Sequence, residues 1–288
     1  TSLRFVSEQA IVEAFDVSAG TMKIRALEDT TAKLDLAHNI KATPISSQVI
    51  FLESPDFSGA IILTDAVSAG SNAAASSTLS AVETANAGGI VTAQLAAGAQ
   101  LVFKAFSGFE AELGDAERVA QANAIAAGTL LGQVIVDTQA GASALTTTTA
   151  NINYYEDVRA ITSVATADKV EVLVDSASAA GKTIIISFDR ETVSGLIHGQ
   201  AQLLVDGKVV KQAKSYADAF VADSDKYWLI TTAGEVGLQA IVTLSHFSTR
   251  TITVETPEGP SPFLWTTLVL GVVVVGQAMY PRIKRRLG

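Results

Sequence analysis

From Phe263 to Tyr280 the chain reads FLWTTLVLGVVVVGQAMY, eighteen residues without a charge, followed at once by PRIKRRLG. A segment of this kind can be buried in a bilayer or in a protein core, and nowhere else. Roughly 20 apolar residues at 1.5 Å rise cross the hydrocarbon layer, so its length matches a short transmembrane helix. Trp265 and Tyr280 flank the run where aromatic side chains favour the headgroup levels. The clustered Arg282, Lys284, Arg285 and Arg286 set an orientation, because positive residues beside a span stay on the cytoplasmic side. The expected arrangement is a single-pass type I protein in the plasma membrane. Its N-terminal part lies outside the cell, its partner is the lipid bilayer through Phe263–Tyr280, and residues 281–288 form a basic cytoplasmic tail.

Charge divides along the same line. The 288-residue chain carries a net charge of −9, and the four tail cations leave residues 1–262 at −13. An acidic exterior disfavours nucleic acid as a partner, since phosphates need a basic surface. There are no cysteines, which removes disulfides and thiolate metal sites from consideration. The chain opens on Thr1 with no charged-then-apolar leader, as expected of a mature protein whose signal peptide has been cleaved.

Along the chain, strand signals dominate. Residues Ser2 to Phe15 allow either a short helix opening at Ser7 or a strand. Thr21 to Leu27 alternates, while Gln48–Leu52 and Ala60–Leu63 are unbroken apolar runs between turn residues. A first Ala-rich helix is expected from an Asn72 cap through Ala87, with Leu79 and Val82 on one face and Gly88 and Gly89 as its stop. Strands return at Ile90–Leu95 and Gln100–Phe106. A second Ala-rich helix is expected over Asp115–Ala127, capped by Asp115 and ended by Gly128, with Val119, Ala122, Ile125 and Ala126 as a shallow apolar side. Leu131–Asp137 reads as a strand. The low-complexity stretch Gln139–Ala150 reads as an exposed loop between two halves.

The second half repeats short strands at Lys169–Val174, Lys182–Phe188, Lys226–Thr232, Leu238–Leu244 and Thr249–Glu255. Within Gln202–Val210, Asp206-Gly207 supplies the two positive-φ positions of a type I′ hairpin turn. Ser215–Phe220 reads as one helical turn. The pattern predicts a mainly β fold with two β-rich ectodomains, residues 1–150 carrying the helical inserts and residues 151–256 forming an Ig-like antiparallel sandwich. Residues 257–262 are a Pro-rich spacer and 263–280 the C-terminal transmembrane helix.

Residues that carry chemistry are scattered. His38, His198 and His246 lie in different segments without paired metal-ligand spacing, and no Gly-rich phosphate loop or nucleophile elbow occurs. The acidic groups Glu28-Asp29, Glu156-Asp157 and Asp223-Ser-Asp225 offer oxygen ligands of the kind Ca²⁺ takes, yet none follows the spacing of a calcium loop. No catalytic, cofactor-binding or metal residue is assigned, no cofactor is expected, and the chain reads as non-enzymatic. Gln277 is a polar residue near the inner boundary of the span, and Gly271 and Gly276 are spaced too far apart for a G-x-x-x-G helix dimer.

The segment KYWLITTAGEVGLQAIVTLSHFSTRTITVE, Lys226–Glu255, resembles the closing hairpin of archaeal secreted surface proteins. There an aromatic-led strand, a Gly turn, a strand ending in H-F-S and a final T-I-T strand precede a C-terminal anchor. The acidic, cysteine-free, Ala/Thr-rich exterior is similar to archaeal S-layer and envelope proteins. Unlike the glycosylated members of that group, this chain has no Asn-X-Ser/Thr sequon. The resemblance implies a membrane-anchored surface scaffold that associates with itself or with other envelope proteins. An archaeal virus envelope spike, or a single-span accessory subunit of a larger membrane complex, would share these features.

Overall fold

The runs Val49–Leu52, Ala60–Leu63, Ile184–Ile186 and Ala240–Val242 contain no polar position. A strand alternates its side chains between two faces, so strands built from such runs need apolar cover on both sides. The computed structural model of the chain supplies that cover by stacking four sheets. It describes residues 2–5, 12–17, 20–37, 39–64, 77–84, 88–139, 146–154, 158–166, 169–176, 181–193, 201–231 and 237–256.

The first outer sheet runs β1 (Ser2–Phe5), β4 (Thr30–Asp35), β9 (Gly88–Leu95), β8 (Thr78–Thr84). The first inner sheet runs β2 (Val12–Val17), β3 (Thr21–Ala26), β10 (Gln100–Ala105), β7 (Phe57–Thr64), β6 (Val49–Ser54), β5 (Lys41–Pro44). The second inner sheet runs β12 (Thr146–Asn153), β11 (Leu130–Gln139), β15 (Lys182–Phe188), β20 (Leu238–Leu244), β19 (Lys226–Thr231), β18 (Lys211–Gln212). The second outer sheet runs β13 (Val158–Thr166), β14 (Lys169–Ser176), β21 (Arg250–Glu255), β16 (Gln202–Val205), β17 (Lys208–Val209).

Three apolar layers separate the sheets. Ile50, Leu52, Ile61, Leu63 and Leu101 of the first inner sheet meet Leu34, Val91 and Ala93 of the first outer sheet. Ile184, Ile186, Ala240 and Val242 of the second inner sheet meet Val172, Ile252 and Val254 of the second outer sheet. The alternate residues of the two inner sheets, Val49, Phe51, Ala60, Ile62 and Val102 on one side and Ile185 and Ile241 on the other, share a middle layer. The helix α1 (Asp115–Ala126) fills that layer with a 3-10 turn at Asp218–Phe220. The outer strands read as clean alternation, because one of their faces is wet: β4 is buried at Thr30, Ala32 and Leu34 and more open between them.

Helix α1 follows from its sequence. Ala122, Ala124, Ile125 and Ala126 are all buried, and their small side chains let the helix lie close between sheets. Gly114 takes the cap position, one residue before the expected Asp115, which instead begins the first turn. At the other end Gly128 sits at φ +68 and donates to Ile125 O at 3.0 Å, while Thr129 N donates to Ala124 O at 3.0 Å. This is a Schellman closure, in which glycine accepts the left-handed backbone at low cost.

Several expectations need correcting. The helix expected over Asn72–Ala87 does not form at Thr78–Thr84, which is β8, paired antiparallel with β9. Leu79 faces the core and Ser80 faces solvent, so the true period is two, and β-branched Thr78, Val82 and Thr84 favour a strand. Residues 72–76 and 85–87 of that stretch lie outside the described residues. At the N-terminus, where the sequence allows either a short helix or a strand, Ser2–Phe5 and Val12–Val17 are strands, and residues 6–11 lie outside the described residues. The Gln139–Ala150 stretch does not separate two halves: Thr146–Ala150 belongs to β12, which pairs antiparallel with β11 in one sheet. Threonine suits a strand as readily as a loop. Residue 150 thus lies inside a strand, and the chain passes from the first pair of sheets to the second through α1. Nor is the second pair wholly antiparallel as an Ig-like sandwich requires, since β11 with β15 and β18 with β19 pair in parallel. The first of these arises because β13 and β14, in the outer sheet, intervene between β12 and β15. Among the described residues no helix is long and apolar enough to cross a membrane, and the expected span Phe263–Tyr280 lies outside them.

The Asp206-Gly207 turn forms as expected, with φ of 51 and 74 and Val205 paired to Lys208. A Cβ on Gly207 would meet nothing within 4 Å, whereas one on Gly237 (φ +77) would sit 2.2 Å from Phe188 O. Gly207→Ala therefore isolates the left-handed backbone cost, about 1–2 kcal/mol. Gly237→Ala adds a backbone clash to the same cost and should lower the urea midpoint further than Gly207→Ala does.

Candidate functional site

Where the middle layer meets β10, the apolar pattern breaks. Val102 and Lys104 point to the same side of the strand, and Lys104 is carried into the layer with only 2% of its surface exposed. An isolated ammonium there would be strongly disfavoured. Lys104 Nζ lies 2.7 Å from Glu110 Oε1, on the 3-10 turn Gly108–Glu112 that links β10 to α1. Glu110 Oε1 also accepts a hydrogen bond from Gln121 Nε2 at 2.8 Å, and Gln121, on α1, is fully buried. One carboxylate oxygen thus joins an amine and a carboxamide from two different elements.

Two tyrosines complete the cluster. Lys104 Nζ sits 5.6 Å from the centre of the Tyr154 ring, a cation–π placement. Tyr154 follows β12 directly and is fully buried, and Tyr216 enters from the loop before the Asp218–Phe220 turn. The Tyr216 hydroxyl and Gln121 Oε1 have no hydrogen-bond partner. Buried polar atoms are nearly always paired, so two such atoms beside one ion pair mark an unusual site. Arg118 borders it, donating to Ser58 Oγ at 3.2 Å and to Ala111 O at 2.8 Å and lying over the Phe106 ring.

The electrostatics follow from burial and from Glu110. Burial by itself pushes the Lys104 pKa down, but the Glu110 carboxylate, with Tyr154, outweighs it and holds the ammonium above its ordinary value. Burial raises the Tyr154 phenol, with Glu110 adding to the rise and the Lys104 cation opposing it. Burial also raises Tyr216, reinforced by Glu110, Glu117 and Tyr154. The cluster therefore keeps both phenols protonated and holds an ammonium, a carboxylate and a carboxamide together away from water.

The residues weighed from sequence lie elsewhere. His246 is exposed, and His38 and His198 fall outside the described residues, as do Glu156-Asp157, Gly271, Gly276 and Gln277. Asp223 bonds Lys226 Nζ at 2.7 Å, with Asp218 on the same ammonium at 3.2 Å. Asp225 accepts from Ser245 N and Oγ at 2.6 Å, and Asp29 accepts from Ala97 N at 2.8 Å. These carboxylates close loops onto neighbouring strands. Among the described residues no group of three or more His, Cys, Asp or Glu is placed to hold a metal ion. In the threonine run, Thr149 Oγ1 shares a hydrogen bond of 2.9 Å with Thr162 Oγ1, tying β12 to β13.

Sequence reading missed the Lys104 cluster. A signal was present, because QLVFKAF places a lysine within an apolar strand, and a cation there requires a buried partner. The partner sits in a turn and a helix, and no spacing rule links those positions to β10. Comparison of the chain with protein-family profiles, with curated proteins and with solved structures found no match.

Tyr216 offers a direct check. Its unpartnered hydroxyl costs about 1–3 kcal/mol of desolvation, so Tyr216→Phe should leave neutral-pH stability unchanged or raise it. Folded Tyr154 and Tyr216 keep their protons above the ordinary value of 10.0, while the unfolded chain loses them. Stability is accordingly full below pH 10 and falls as pH rises beyond it. Urea titrations at stepped alkaline pH should show a shallower fall for Tyr216→Phe than for the parent.

Proposed function

We propose that the protein is a non-enzymatic, membrane-anchored structural protein of an archaeal-type cell envelope, its β-rich part outside the cell. The uncharged run Phe263–Tyr280 with its basic tail carries this reading, since that combination of length, aromatic flanks and clustered cations fits a type I anchor. The Pro-rich residues 257–262 then hold the layered body off the bilayer. The last strand, β21, ends at Glu255, so the body's second outer sheet connects to the spacer with a single residue between.

Two structural observations agree with a scaffold. The stacked sheets bury three apolar layers, so the body holds itself by core packing without any disulfide. Several edges are protected: β5 bears Lys41 and Pro44, and β17 and β18 are two residues long and bear Lys208 and Lys211. Such edges resist indiscriminate strand pairing and leave association to chosen surfaces.

Membrane fractionation tests the reading. The full chain should sediment with membranes, be released by detergent but not by high salt, and be cut by protease added to intact cells. A chain ending at Thr256 should move to the soluble fraction. Finding the full chain soluble, or protected from external protease, contradicts the proposal.

A further inference from the structure

The geometry points to a self-formed covalent cross-link: we infer that Lys104 and Gln121 join in an intramolecular isopeptide bond, with Glu110 carrying the protons and ammonia as the leaving group. The three groups are already assembled. Nζ of Lys104 and Nε2 of Gln121 both contact the same Glu110 Oε1, at 2.7 and 2.8 Å, so one carboxylate oxygen bridges the two nitrogens. Lys104, Glu110 and Gln121 are all nearly or wholly buried. Each is fixed by a different packed element, β10, the turn and α1. Holding reactants in this way replaces a bimolecular encounter with an intramolecular one, which is worth orders of magnitude in rate.

The step balances without any co-reactant. Glu110 takes a proton from the Lys104 ammonium and leaves a neutral amine. Its lone pair forms the Nζ–Cδ bond to Gln121, and the carbonyl π electrons move onto Oε1. Glu110 delivers its proton to Nε2, to which it is already hydrogen-bonded, and the Cδ–Nε2 bond breaks as the carbonyl re-forms. The second proton lost by Nζ returns to Glu110. The products are a secondary amide, neutral Glu110 and ammonia, with no change in oxidation state.

The surroundings favour this outcome. A buried ion pair carries a desolvation penalty that its attraction does not always repay, and the condensation removes both charges from the layer. Gln121 Oε1 has no hydrogen-bond partner, so the rearrangement at its carbonyl breaks no existing bond. Exclusion of water suppresses hydrolysis of the carboxamide as the competing reaction. The bond would tie the middle-layer face of β10 to α1 across the turn between them. It is independent of where the protein resides.

Intact-mass measurement of the purified full chain tests the inference. The expected mass is below that of the sequence by one ammonia, and a tryptic digest should contain a branched peptide joining Lys104 to Gln121. Glu110→Gln and Lys104→Arg should each restore the full mass and abolish the branched peptide. The parent protein alone decides the matter if either variant does not fold. Full sequence mass in the folded parent overturns the inference. Ammonia loss mapped to an asparagine, or loss of water with a Lys104–Glu110 link, also overturns it.

Discussion

The two inner sheets each present a second apolar face that an ordinary two-sheet sandwich would leave in water. Covering those faces is the constraint on which the rest of the structure depends. Ile185 and Ile241 from one sheet and Val49, Phe51, Ile62 and Val102 from the other are buried only because α1 and the turn at Asp218–Phe220 lie between them. Each such side chain contributes about 1.5–3 kcal/mol when fully removed from water. The helix is suited to the place through its size. Ala122, Ala124 and Ala126 let it approach both sheets, while Asp115 and Asn123 stay exposed.

The same constraint explains the buried polar cluster. A helix between two sheets must be entered and left by short connections, and the turn Gly108–Glu112 brings Glu110 into the layer with α1 directly after it. Lys104 from β10 and Gln121 from α1 then satisfy Glu110 from both sides. Outside the layer, carboxylates act as loop fasteners, as Asp206 does by accepting from Thr251 N and Arg250 Nη1 beneath its hairpin turn. The middle layer is where polar side chains from several elements converge in the dry interior.

The fold was legible wherever local chemistry decides structure. Asp206-Gly207 announced its hairpin, Gly128 its helix end, and the alternation in Lys169–Val174 a half-exposed strand. Unbroken apolar runs such as Ala60–Leu63 marked buried strands, yet did not reveal that a helix would supply the second cover. Leu79 and Val82 misled because i, i+3 spacing over a short run is shared by helix and strand patterns, and pairing with β9 settled the matter. The parallel pairing of β11 with β15 was invisible for a related reason: it depends on which sheet β13 and β14 join. Lys104 was conspicuous in its apolar strand, but Glu110 and Gln121 meet it through the path of the chain and not through any spacing in the sequence.

A shared middle layer makes the four sheets one cooperative body, and native-state hydrogen exchange of Ile125→Ala tests this most directly. Ile125 is fully buried in the layer, and its truncation should cost about 2–5 kcal/mol. If the layer couples the sheets, the opening free energies of amides in β7 of one inner sheet and β20 of the other should fall together by that amount. Loss of protection confined to one pair of sheets, with the other unchanged, would contradict the account.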